Sequence, residues 1–286
     1  MSIWLAVFLA FVAVLAGVAV RGLGPASESD VDRWIDRHGL DVGREGRAFA
    51  VLYLSWVRPW RTAGLVLGLL PFSKWIVYDT MDQAEPWPAF WLGLAAAGYL
   101  GGCVIGEITF RAVSRGASGE AELKPREPST YLPGSMTVLP WGVTVLALLL
   151  LPAYLLVSDP ARVGGRLAGV IWCSGLIILT AASVRVAMGR VIDRPRPVAS
   201  SDLLRVDHAA RSSSLRRIVL AGVALQLFLV SVLVSEIGRA LEARPQHGYV
   251  EAVSWLTACV VVLAVVAWIS GASDRTPSSL VRRASA

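Results

Sequence analysis

The sequence predicts an all-α fold: a polytopic integral membrane protein built as a seven-helix transmembrane bundle, with its N-terminus outside and its C-terminus cytoplasmic. Three observations predict it. Of the 286 residues, 55% are hydrophobic and only 17% charged, whereas soluble domains carry about 25% charged residues. The apolar residues gather in separate runs near 3–20, 62–78, 89–110, 137–157, 166–184, 218–234 and 250–269, each close to or above the length that crosses a bilayer core. The basic residues alternate sides between those runs. Of the 27 Lys and Arg, 22 lie in 21–61, 111–136, 185–217 and 272–286, four lie in the other connections, and Lys74 sits inside a run. An excess of basic residues marks the cytoplasmic side.

The first run, Ile3 to Val20, has 18 uncharged residues, about 27 Å of helix at the usual rise. No basic residue precedes it and Arg21 follows it, which suits an uncleaved span better than a signal peptide. The connection from Arg21 to Arg61 is mixed in charge. Ser29 is placed to cap a short helix with Asp30 and Asp32 in its first turn and Trp34 and Ile35 on its apolar face. Gly39, Gly43 and Gly46 interrupt it. Ala48 to Val57 is apolar but too short to span, so an interfacial helix is expected there, broken at Arg58-Pro59-Trp60-Arg61 by the proline and anchored by Trp and Arg at headgroup level.

The second run holds Pro71 and Lys74. The third is lined by Gly98, Gly102 and Gly106, a four-residue repeat of small side chains that predicts close helix–helix packing in a membrane. Glu107 follows at once, and Arg111 is its expected partner one turn on. This third helix is the expected packing hub. The fourth run contains Pro140 and Pro152, the fifth Ser174, Thr180 and Ser183, and the sixth Gln226 near its middle. The seventh ends in residues 272–286, a short polar cytoplasmic tail expected to be disordered. Residues 1–271 read as a single transmembrane domain. Arg111 and Arg185 open two similar Pro-containing polar connections, which suggests a repeated hairpin of spans 3–4 and 5–6.

The formal charge of +6 and pI near 9.6 are absorbed by the topology, so no nucleic-acid partner is expected. Arg outnumbers Lys 25 to 2, a usage typical of GC-rich bacterial genomes, so the expected location is a bacterial inner membrane. Cys103, Cys173 and Cys259 all lie inside apolar runs, neither paired as a disulfide framework nor spaced as metal ligands. The short Asp36, His38, Asp41 group reads as a solvated loop. No metal site, cofactor or catalytic motif is expected.

Two sets of residues remain as candidates. Lys74, Glu107 and Gln226 are polar groups within the bundle, where ionisable residues need a reason. Arg190, Arg194, Arg196, Arg211, Arg216 and Arg217 belong to a basic loop from 185 to 217, expected to contact an anionic inner leaflet or a partner protein. Asp207 and Arg211 within it form an i,i+4 pair. The first functional expectation is an accessory or scaffold membrane subunit that presents basic cytoplasmic loops to a cytoplasmic or membrane partner. The alternatives are a small-molecule transporter or permease subunit, and a membrane enzyme acting on a lipid-linked substrate, which would need Arg and carboxylates converging around a cleft at the inner face.

Overall fold

The computed structural model describes residue 13 and residues 16–78, 88–110, 128–158, 164–194, 201–242 and 248–272, with only the backbone described at 72–78, 88–91, 157, 164–166, 242, 248–250 and 272. The described residues are helical, without strands. The elements are α1 (16–23), α2 (Glu28–Arg37), α3 (Arg44–Tyr78), α4 (Pro88–Thr109), a 3₁₀ turn at Pro128–Thr130, α5 (Gly134–Val157), α6 (Gly164–Ile192), α7 (Ser201–Glu242) and α8 (Gly248–Ala272). Five of them contain stretches long and apolar enough to cross a membrane: Leu92–Thr109, Gly134–Leu156, Leu167–Ile192, Ser201–Leu241 and Glu251–Gly271. Most of the first expected span, 3–20, lies outside the described residues.

Several boundaries differ from the sequence reading. The helix of the first connection is capped by Ser27 rather than Ser29. The reason is a capping box, in which the Ser27 hydroxyl accepts from the Asp30 amide while the Asp30 carboxylate accepts from the Ser27 amide, satisfying two donors at once. Gly39 ends α2 at φ +60°, the left-handed position after a helix where a side chain is costly. Ala48–Val57 is not a separate interfacial helix. It is the first half of α3, which runs 35 residues and carries Pro59 and Pro71 inside it. An internal proline costs roughly 3 kcal/mol. Tyr53, Val57 and Arg61, one turn apart on one face, are all buried against other helices, and that packing outweighs the proline.

The basic loop is also largely helical. α6 continues to Ile192 and α7 begins at Ser201, which leaves 193–200 as the connection. At about 1.5 Å per residue, α7 is about 63 Å long and α3 about 52 Å, both well beyond the ~30 Å hydrocarbon core. Their N-terminal parts therefore project together at one end of the bundle. There they pack with α2 around Trp34, Phe49, Tyr53, Val57, Phe110, Val206 and Ala210. The Gly43 amide donates to the Asp202 carboxylate across this end, 2.9 Å.

The centre of the bundle is α7, not α4. In its most apolar 18-residue stretch, α7 is 72% buried inside the protein, against 44% for α4 and 17% for α8, and α7 packs on α3, α4, α5, α6 and α8. α4 holds a different distinction, the closest backbone approach. A Cβ placed on Gly98 would collide with the Gly64 carbonyl oxygen, and one on Gly102 with the Trp60 carbonyl oxygen. Gly64 and Gly68 of α3 complete the contact, since a Cβ on Gly64 would come 2.9 Å from the Gly102 Cα. Gly106 is looser, its nearest neighbour being the Trp60 Cβ at 3.2 Å. Small residues on both helices let the backbones touch, which is how dispersion holds helices together in lipid.

Gly98→Ala and Gly102→Ala should each lower the thermal midpoint of the detergent-solubilised protein, by an overpacking cost of about 1–3 kcal/mol. Gly101→Ala, whose Cβ meets nothing within 4 Å, should be neutral. Size-exclusion profiles after graded heating would show the difference.

Candidate functional site

The projecting end of the bundle is organised by charges buried among apolar helices. Glu107 lies two residues from the end of the apolar stretch of α4, with a side chain only 1% exposed. Its Oε1 accepts from Tyr53 Oη at 2.9 Å, Arg61 Nη2 at 3.0 Å and Ser214 Oγ at 2.6 Å. Its Oε2 faces Arg194 Nη1 at 3.4 Å. The same guanidinium reaches Asp207 Oδ1 through Nη2 at 3.0 Å, and Asp207 Oδ2 takes Arg211 Nε at 2.7 Å. Tyr53 and Ser214 hydroxyls also touch each other.

Each partner is placed by its helix. Tyr53 and Arg61 share a face of α3, two turns apart. Asp207, Arg211 and Ser214 follow one another at near-helical spacing on α7. Arg194 stands just after α6 and lies 4.9 Å over the Phe110 ring, a cation–π contact. Phe110 in turn packs edge-on against Tyr53 and Phe49. Arg211 donates from Nη1 to the Val191 and Ile192 carbonyls at 3.0 and 2.9 Å, so it caps the C-terminus of α6, where cations are favoured. The network thus joins α3, α4, the end of α6 and α7. A buried ion pair is weak evidence for stability, but removing one partner strands the other charge.

The sequence candidates fall unevenly on this geometry. Glu107, Arg194 and Arg211 come together in the network. Arg194 and Arg211 are buried and engaged inside the protein, so the headgroup contact expected of them is replaced by ion pairs. Arg217 is buried nearly two turns beyond Arg211 along α7, and Arg216 is half-buried. Arg190 is exposed in the last turn of α6. Arg196, and the expected Glu107 partner Arg111, lie outside the described residues. Lys74 is in α3, but its side chain lies outside the described residues. Its backbone is 13 residues beyond Arg61, or about 20 Å along the helix, too far for the network.

Gln226 is fully buried in mid-bundle. Its Nε2 faces the Pro140 carbonyl, the Thr144 hydroxyl and the Ile177 carbonyl at 3.1–3.2 Å, which ties α7 to α5 and α6. Gly98 and Gly102 serve the site indirectly: their contact with α3 brings Arg61 beside Glu107. Tyr53, Arg61 and Ser214 were missed. Read as one helix, 44–78 would have shown Tyr53 and Arg61 on one face. Ser214 had no distinguishing signal.

In α2 and at its C-terminal end, Asp30 and His38 are perturbed. Arg58 bonds Asp30 at 2.5 Å and holds its carboxyl down to about 2. His38 is 3% exposed, stacked on Trp34 with centroids 4.3 Å apart. Its Nδ1 lies 2.7 Å from the Trp34 carbonyl oxygen. Burial lowers its pKa to about 4, with Arg217 and Arg37 nearby adding to the effect. His38 is therefore neutral in the folded protein.

Fold and composition define the class as a helical multi-pass membrane protein. Comparison with protein-family models, with curated proteins and with solved structures gave no match, so the network itself carries the functional reading.

Glu107→Gln should destabilise by roughly 3–5 kcal/mol, because Arg61 loses its counter-charge and Arg194 is left with Asp207 alone. Arg47→Gln, which removes an exposed pair with Asp32, should change little. Glu107→Gln combined with Arg194→Gln should cost less than the sum of the single changes, since the two share one interaction. Thermal unfolding of the four variants in one detergent tests this.

The His38 effect has a definite sign. Its folded pKa is depressed below 6.5, so the stability it contributes is complete above pH 6.5 and is lost as pH falls through about 4. The Asp30 contribution is lost only lower, between 3.8 and about 2. Thermal midpoints taken from pH 7 to pH 4.5 should therefore fall less steeply for His38→Phe than for the parent.

Proposed function

We propose that the protein is an accessory or scaffold subunit of a bacterial inner membrane, with seven spans, its N-terminus outside, and the projecting end of the bundle on the cytoplasmic side. The orientation rests on the placement of 22 of the 27 basic residues. The single observation that carries the functional reading is the Glu107 network. It uses buried charge to hold the projecting parts of α3 and α7 to α4 and the end of α6, and α2 packs on that end through the apolar cluster of Trp34, Tyr53 and Val206, giving one rigid platform. A platform of that kind suits a docking role, because a partner then meets a preorganised surface. Exposed Arg47, Arg190 and Arg205 supply its polar rim. Tight packing in mid-bundle favours a scaffold over a transporter: the Gln226 Nε2 is engaged with α5 and α6, and Ala224 and Phe228, on the other side of α7, are buried in a cluster with Ala96 and Ala264.

A membrane enzyme on a lipid-linked substrate is the second reading. The specific observation in its favour is the convergence of Arg and carboxylates at one end of the bundle. Against it stands the engagement of both buried carboxylates, Glu107 and Asp207, with arginines.

The test uses single cysteines in a background where Cys103, Cys173 and Cys259 are replaced by Ala. Arg205→Cys should react with a membrane-impermeant thiol reagent only in inside-out vesicles, and Glu251→Cys only in right-side-out ones. Thr144→Cys should react from neither side. Photocrosslinkers at Arg47 and Arg205 in native membranes should trap a discrete adduct that Glu107→Gln abolishes. Labelling at 144, with no adduct at either rim position, would replace the scaffold reading by a transport one.

A further inference from the structure

Beside the network, and sharing Arg61 with it, the protein has a cavity of about 350 Å³. It is lined by Arg21 of α1, by Ala26 between α1 and α2, by α2 itself, by the middle of α3, and by Tyr99 and Arg217 from α4 and α7, and it opens to one side. Six arginines line it: Arg21, Arg33, Arg37, Arg58, Arg61 and Arg217. The lining contains one carboxylate, Asp30. Asp30 bonds both Arg33 and Arg58 at 2.5 Å and remains ionised at any physiological pH, so its single negative charge is already spent. Arg58 is further steered by the Arg21 carbonyl, 2.7 Å from its Nη2.

Two donors in the cavity wall give a second, independent sign. Trp34 is 2% exposed, and its indole Nε1 has no hydrogen-bond partner among the described residues. Arg61 is similarly buried; its Nη2 serves Glu107 and Tyr53, and its Nε has no partner among the described residues. Orphaned buried donors are costly in a finished fold. The cavity is also graded. Arg21, Arg33 and Arg37 are exposed at its mouth, Arg61 and Arg217 are buried in its depth, and Leu54, Leu65 and Tyr99 supply apolar wall.

We propose that this cavity is a binding site for a phosphate group, carried by a lipid headgroup or by a small soluble phosphate ester. Phosphate offers several acceptor oxygens and up to two charges, and guanidinium groups match it with paired N–H donors. A cavity of this size lies at the low end of small-ligand sites, larger than a bare phosphate needs and small enough to exclude a nucleic acid duplex. The site differs from the basic surface expected of residues 190–217: only Arg217 belongs to both, and the other five arginines come from the first connection and α3. It is independent of the scaffold reading and of membrane orientation.

The experiment uses the full chain in nanodiscs. One arm has neutral phosphatidylcholine discs titrated with inorganic phosphate and pyrophosphate, read by thermal shift. The other has discs containing phosphatidic acid or phosphatidylglycerol, read by thermal shift and by native mass spectrometry for retained lipid. Saturable stabilisation in the first arm identifies a soluble phosphate ligand, and retention of anionic phospholipid with no response to free phosphate identifies a headgroup; either supports the site. Arg37→Gln, at the exposed mouth, and Arg217→Lys, in the depth, should each weaken the response about tenfold or more. Arg47→Gln, the same charge loss outside the cavity, should leave it unchanged. Equal weakening by Arg47→Gln, or no response in either arm from parent protein with an intact thermal transition, overturns the proposal.

Discussion

Glu107 sets a constraint that the projecting end of the bundle is built to meet. An ionised carboxylate at the edge of an apolar helix loses most of its hydration, and the loss is recovered only by close, well-aligned opposite charge. Arg61 and Arg194 supply it from two other parts of the chain. Since Arg194 also holds Asp207, and Asp207 holds Arg211, the requirement is passed on until it reaches the carbonyls that end α6. Three arginines and two carboxylates become one object that fixes four helices at once.

The steric and electrostatic parts of this arrangement depend on each other. Arg61 reaches Glu107 because the α3 backbone runs against α4 at Gly102, where a Cβ would lie 3.0 Å from the Arg61 Cα. A larger residue at 102 would push α3 away and lengthen the ion pair beside it. The glycine stripe is thus more than general packing, because it sets the separation at which a charge-assisted bond of 3.0 Å can form. Further up α3, Gly64 and Gly68 maintain the same separation into the apolar part of the bundle, where no charge is available to hold the helices.

This division also explains what could be read from the sequence. Hydropathy marks the apolar runs because length and composition alone decide whether a helix can cross lipid, so the helical class and the glycine stripe on α4 were legible. The ends of the helices were not. The polar residues from 185 to 217 look like a loop by composition, yet Val206, Ala209 and Ala210 bury one face of α7 against α2 and α3 and keep it helical to Ser201. Pro59 signals a break that Tyr53, Val57 and Arg61 override through contacts with α4 and α7. Both errors hid the site, since Arg61 and Arg194 find their carboxylate partners only on other helices, at separations that local spacing does not encode. Asp207 with Arg211 was visible because that pair is local; Glu107 with Arg61, 46 residues away, was not.

Arg61 connects the network to the arginine-lined cavity. Its Nη2 serves Glu107 and Tyr53, while the same side chain contributes to the cavity wall. An anion in the cavity would share this guanidinium with Glu107, and two negative groups on one cation compete electrostatically. The competition is moderated by Arg194, which gives Glu107 a second cation, and by Arg217, which places another guanidinium in the cavity beside Arg61. A carboxylate with one arginine could not release part of that charge without cost. With two, Glu107 can lean on Arg194 while Arg61 turns its remaining donors toward a ligand. The doubled cations around Glu107 would therefore let this end of the bundle keep its geometry with the proposed anion in the cavity next to it.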